Sequence, residues 1–204
     1  MKKIIMVVGC WLLVVGSLQA SVDIELVKKA ETFLNSITGL EGNFTQDAQG
    51  KKDSGKFFML RPGRVRLDYK SPIQLMSDGK DLYFFDKSLD QITTVPLNAT
   101  PAGILVRKNI DLRNADITVS GTNQGKDSFS LDMHLKGQEG LGRMNVVFAN
   151  SPVALKAWTV TDAVGNKTEV SFSDMKTRTD FDKNFFQIQR HKTTTGAGGD
   201  SYYE

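Results

Sequence analysis

Along most of the chain, apolar residues occupy every second position. Phe129, Leu131, Met133 and Leu135 alternate with Ser130, Asp132, His134 and Lys136; Val65, Leu67 and Tyr69 alternate with Arg64, Arg66 and Asp68; Met144, Val146 and Phe148 repeat the pattern. Successive side chains of a strand point to opposite faces, so each run predicts a strand with one buried face. Turn sequences separate the runs at short intervals: Pro62-Gly63, Ser77-Asp78-Gly79-Lys80, Lys136-Gly137, Asn150-Ser151-Pro152 and Val164-Gly165-Asn166. Short turns join antiparallel neighbours, because parallel ones need a long crossover. A wide, meandering antiparallel sheet is expected.

Two segments break the period of two. From Ile24 to Ile37, Leu26, Ala30, Phe33, Leu34 and Ile37 recur at helical spacing with Lys28, Lys29 and Glu31 off that stripe, and Thr38-Gly39 supplies a stop. This predicts an amphipathic helix lying on the sheet. Between Pro96 and Arg107 the alternation fails, and Thr100-Pro101 precedes an apolar run, Ala102 to Val106. Threonine as N-cap with proline at the first helical position predicts one or two short helices inserted between strands. Residues 191–204 lack apolar periodicity and read as a flexible tail.

The first twenty residues differ from the rest. Lys2 and Lys3 precede an apolar run from Ile4 to Val15, and Ser17-Leu18-Gln19-Ala20 ends in a small residue suited to cleavage. The run is too short for a permanent span of roughly twenty apolar residues, so 1–20 reads as an export signal cleaved after about Ala20. Val7-Val8-Gly9-Cys10 resembles a lipid-attachment site, but the apolar stretch before Cys10 is short and continues beyond it. Cys10 is the only cysteine, so the chain from Ser21 has no disulfide, thiolate metal site or cysteine nucleophile. Of the 26 basic residues, Lys2 and Lys3 leave with the signal, and the remainder exceeds the 23 acidic ones by one. That balance gives no field to attract nucleic acid.

Catalytic chemistry finds little material. The two histidines, His134 and His191, have no second histidine or cysteine at ligand spacing. Asp78, Asp86, Asp90 and Asp162 fall at turns, where aspartate caps its own backbone. No catalytic residue, metal site or cofactor is assigned. What stands out is an apolar excess in the strands: Phe57 to Leu60, Tyr83 to Phe85, and Phe185-Phe186. A sheet this wide either packs a full core or keeps an apolar face that a ligand fills.

These residues resemble a known family, the periplasmic outer-membrane lipoprotein carriers of the LolA type. The matching stretches are Phe44-Thr45-Gln46, Gly55, Arg61-Pro62 with Arg66 and Tyr69, Pro72, Ser77 to Lys80, Leu82 to Asp86, Leu89-Asp90-Gln91, Pro101 to Leu105, and Asp162 to Phe172. Their order and spacing extend over roughly residues 26 to 190. The resemblance implies a mainly β, incomplete antiparallel barrel of about 10–11 strands around a hydrophobic cavity, with an N-terminal amphipathic helix and short lid helices. It implies one domain over 21–190, acting as a monomer without cofactor or catalysis. Its cargo would be acylated lipoproteins, received from an inner-membrane LolCDE-type ABC transporter and passed to a LolB-type acceptor where one exists. A lipid-sensing regulatory module on the same fold is the alternative.

The expected cavity lining is Phe57, Met59, Val65, Leu67, Tyr69, Phe84, Ile104, Leu105, Phe129, Leu131 and Met133. Arg61 matches the family position that latches the lid. A guanidinium stays charged and carries five donors in a rigid fork, so beside an apolar cavity it requires acceptors, and terminal carbonyls of the lid helices would supply them. Pro62 is expected to set the turn that aims Arg61, and Arg64 and Arg66 to face solvent.

Overall fold

A computed structural model describes residues 22–114 and 116–188. The expected export signal, 1–20, and the tail, 191–204, lie outside the described residues.

The helix α1 runs Ile24–Ser36. Asp23 caps it by accepting from the backbone N–H groups of Glu25 and Leu26, and Leu26, Val27, Ala30 and Leu34 form its buried stripe. The strands follow as β1 (Gly39–Ala48), β2 (Lys51–Leu60), β3 (Arg64–Tyr69), β4 (Ile73–Asp78), β5 (Asp81–Asp86) and β6 (Gln91–Pro96). Two 3-10 helices, Leu97–Ala99 and Pro101–Val106, stand where the alternation lapsed. The chain then continues as β7 (Ile117–Gln124), β8 (Ser128–Leu135), β9 (Arg143–Asn150), β10 (Val153–Thr161) and β11 (Lys167–Thr177). Strand β8 alternates between partly and fully buried positions over its whole length, as its sequence predicts.

All eleven strands form a single antiparallel sheet in the order β6-β5-β4-β3-β2-β1-β11-β10-β9-β8-β7. Neighbouring strands are consecutive in the chain everywhere except at the β1–β11 seam, and β6 and β7 are left as edges. The sheet therefore does not close, and the segment bearing the 3-10 helices links its two edges. It curls nonetheless. Phe57 on β2 and Trp158 on β10 are three strands apart, about 14 Å along a flat sheet, yet their rings meet at 5.8 Å.

The inner face carries two buried clusters. One joins α1 to β7–β10, with Phe129 stacked on Phe148 at 5.1 Å. The other joins β1–β3 to the lid, with Phe44, Phe57 and Leu67 at its centre. The outer face is also covered in part, which corrects the expectation that Arg66 faces solvent. Residues beyond β11 cross that face: Phe185 meets Phe58 at 4.9 Å and lies 4.5 Å from the Arg66 guanidinium. Arg66 donates to the Phe185 carbonyl at 2.6 Å and pairs with Asp68 at 2.9 Å. Arg64 is exposed, as expected.

Candidate functional site

In antiparallel pairs, directly opposite residues share a face. The register runs Phe57 opposite Leu67, Leu67 opposite Leu75, and Leu75 opposite Phe84, which defines one apolar row across β2–β5 on the inner face. Above its start lies an apolar cavity of about 40 Å³. Phe57, Met59, Val65 and Leu67 form its floor, Leu75 and Leu82 one side, and Leu155 and Trp158 of β10 the other. Leu97, Ala102, Leu105 and Val106 of the lid roof it, and Leu34, Ile37 and Leu40 close the end under α1. Arg61, the residue after β2, is the one charged side chain among these.

The lid is built for tight packing. The Thr100 hydroxyl donates to the Leu97 carbonyl at 2.8 Å and accepts from the Gly103 N–H at 3.2 Å. A Cβ on Gly103 would come 2.3 Å from the Leu97 carbonyl oxygen, so glycine lets the two 3-10 helices touch. Beyond Val106, α1 grips the chain: Asn35 donates to the Ile110 carbonyl at 2.7 Å and accepts from the Ile110 N–H at 2.9 Å, and Glu31 accepts from the Leu112 N–H at 2.9 Å.

Arg61 joins three elements. Its Nε donates to the Leu105 carbonyl of the lid at 3.2 Å, and its Nη1 donates to the Leu34 carbonyl in the last turn of α1. The residue is 9% exposed. Burial without a carboxylate partner pulls its pKa down to about 10, which leaves it charged at neutral pH. The Arg61–Pro62 peptide is cis, and Gly63 follows with φ of 75°. The Gly63 N–H donates to the Val106 carbonyl at 2.6 Å. A Cβ on Gly63 would lie 2.5 Å from the Gly79 Cα, so both the dihedral and the close approach of the β4–β5 turn require glycine. The lid is thus tied to the β2–β3 turn by adjacent carbonyls, Leu105 to a side chain and Val106 to a backbone.

Of the eleven residues expected to line a cavity, Phe57, Met59, Val65, Leu67 and Leu105 border it. The other six sit elsewhere for identifiable reasons. Phe129, Leu131 and Met133 face inward, but α1 covers them and they are fully buried in the packed cluster with Phe148. Ile104 turns toward that same cluster. Tyr69 lies beyond the cavity, its ring edge-on to Phe44 at 4.9 Å and its hydroxyl donating to Gln46 at 2.8 Å. Phe84 has the inward phase but is 44% exposed, because the lid ends before reaching it. Sequence reasoning missed Gly63, Asn35 and Glu31. The Pro62-Gly63 pair marked a turn, whereas a backbone donor carries no side-chain signature.

A sheet that curls without closing, roofed by short helices over an apolar interior, is an incomplete barrel with a covered apolar cavity. The chain belongs to the LolA family: the family model described as "Outer membrane lipoprotein carrier protein LolA" matches residues 35–189. Curated relatives are similar over most of their length. The outer-membrane lipoprotein carrier protein of Neisseria meningitidis serogroup C is 28% identical over 83% of this chain and 85% of its own. Those of Methylococcus capsulatus and Cupriavidus necator are each 29% identical, over 78% and 86% of this chain and 81% and 89% of theirs. Among solved structures, a LolA superfamily protein from Nitrosomonas europaea aligns with a TM-score of 0.44 at 13% identity, over 79% of this chain and 97% of that one. MucB aligns at 0.45 and 16% identity, over 85% of this chain and 64% of that one.

Proposed function

We propose that this chain is a periplasmic chaperone that accepts acylated lipoproteins released from the inner membrane by a LolCDE-type ABC transporter. It shields their acyl chains in the cavity and delivers them to the outer membrane, to a LolB-type acceptor where one exists. The observation that carries this reading is the apolar cavity roofed by a lid fastened through Arg61 and Gly63. The names of the curated relatives support the cargo class.

The energetics explain why such a container is needed and why it must open. Each methylene moved into water costs about 0.8 kcal/mol, so bare acyl chains in transit would cost tens of kcal/mol. The closed cavity is small, at about 40 Å³. An acyl chain enters only if the lid lifts, whereupon the inner-face row extending to Phe84 becomes continuous with the cavity. Hydrogen bonds to a charged group contribute roughly 1.5–3 kcal/mol each. Bonds of that size hold a lid shut and yield to incoming chains. Carriage needs no bond made or broken in the cargo.

The test is a release assay. Purified protein is added to spheroplasts that synthesise a lipidated outer-membrane lipoprotein, and cargo is sought in the soluble fraction as a one-to-one complex. Soluble complex is expected. Absence of release, with apolar probes still bound by the protein, would overturn carriage and favour a sensor of lipids. When the soluble complex is then mixed with outer membranes, Arg61→Leu is expected to have loaded cargo but to stall its onward transfer, and unchanged transfer would overturn the latch.

A further inference from the structure

Two nitrogens of the Arg61 guanidinium have acceptors, and the third does not. Nε is taken by Leu105 and Nη1 by Leu34, whereas Nη2 is buried and finds no acceptor among the described residues. The residue is about nine-tenths buried and forms part of the cavity wall. The side chains lining the cavity with it are hydrocarbon, save for the Met59 sulfur, a weak acceptor, and the Trp158 indole, which only donates. A water molecule there would need two or more polar partners, and these walls offer it Arg61 alone. Buried donors on charged groups are rarely left unpaired, because the lost hydration is not recovered.

We propose that Nη2 of Arg61 is a recognition point for a carbonyl oxygen at the head of an acyl chain, so that the cavity discriminates acylated ligands from hydrocarbon of equal length. The proposal rests on the carriage reading and deepens it. An ester or amide carbonyl fits what the site lacks. It is neutral, so it brings no second charge into the apolar space, and it accepts one or two hydrogen bonds while donating none itself. It is also attached to the apolar tail that the walls require, with the tail directed along Phe57, Leu67 and Leu75. When the lid lifts and Nε gives up the Leu105 carbonyl, the fork keeps its hold on the helix through Nη1 and offers Nη2 to the guest.

Binding of methyl decanoate and of dodecane, chains of equal length with and without the carbonyl, is measured by titration against the protein and its Arg61→Leu variant. The carbonyl stretch of the bound ester is followed by infrared spectroscopy. The ratio of ester affinity to alkane affinity is expected to fall about tenfold or more in Arg61→Leu, the factor for losing a hydrogen bond to a charged group. The bound carbonyl is expected at lower frequency in the unaltered protein than in the variant. Both ligands binding with the same ratio in the two proteins, or an unshifted carbonyl, overturns this inference and leaves carriage standing. Neither ligand binding the unaltered protein overturns both. Should Arg61→Leu fail to fold, the carbonyl frequency in the unaltered protein, compared with the free ester in hydrocarbon solvent, decides alone.

Discussion

Beneath α1 the strands β7–β9 are packed solid, whereas beneath the 3-10 lid the strands β1–β5 border a cavity. Both regions bury phenylalanines on the inner face of one sheet. They differ in what covers them. The helix α1 spans 13 residues with a capped start and a continuous apolar stripe, and Phe33 and Phe129 both pack on Phe148, at 5.8 and 5.1 Å. The lid consists of 3-10 helices of three and six residues, a geometry with poorer hydrogen bonds that is used in short pieces. Its hold on the β2–β3 turn comes to two donors, the Arg61 side chain and the Gly63 N–H. Segments with few such ties occupy the low-stability end of a fold, where opening is possible without global unfolding. The same sheet thus serves as a foundation under one cover and as a container under the other.

Substitutions that delete volume should separate the two regions most sharply. Phe148→Ala is expected to lower unfolding free energy by about 3–5 kcal/mol in urea titrations, because the solid region cannot collapse around the loss. Leu82→Ala, at the cavity wall, is expected to cost well under half as much, since it only enlarges a space that exists; equal losses at the two sites would erase the distinction.

Arg61→Leu should act differently. The substitution removes a buried, incompletely paired charge but also takes a donor from the Leu105 and Leu34 carbonyls, two effects of opposite sign, so thermal unfolding of the variant is expected at a nearly unchanged temperature. Binding of an apolar fluorescent probe should rise at the same time as the lid loosens. A strong loss of stability would mean that the arginine holds the fold rather than the lid.

Gly63→Ala places a side chain in the left-handed region, at about 1–2 kcal/mol, and presses it onto Gly79. Faster hydrogen exchange is expected at the residue-63 amide, with amides of β8 unchanged. The smallest effect is expected from Thr100→Ala, which removes the lid's N-cap at about 1 kcal/mol. Exchange at the Gly103 amide should quicken without any shift in global unfolding.

The sheet was legible because its outer and inner positions differ in polarity along most strands, and β3 and β8 could be phased from sequence alone. The open shape and the lid position followed from the family resemblance together with the lapse in alternation near Thr100-Pro101. The limits of the cavity were not legible. Phe57, Phe84 and Phe129 carry the same signal, an aromatic at an inward position, and only the reach of α1 and of the lid decides whether each is cavity wall, exposed row or packed core. The covered outer face was hidden for a related reason: Arg66 reads as solvent-facing until Phe185, distant in sequence, lies down on it. Tertiary cover, unlike strand phase, leaves no period in the chain.

The strand order also bears on how the molecule is made. Nine of the ten strand pairings join consecutive strands and can form by local zippering, while the β1–β11 seam, with Phe44 opposite Phe172, must wait for nearly the whole chain. Closing long loops before their contacts are gained makes such pairings slow. Phe57 and Trp158 stand on opposite sides of that seam, so neither half of the chain possesses the cavity by itself. A chain still folding therefore has no enclosed interior to offer a lipid, and the capacity to hold one arrives together with the last stage of assembly.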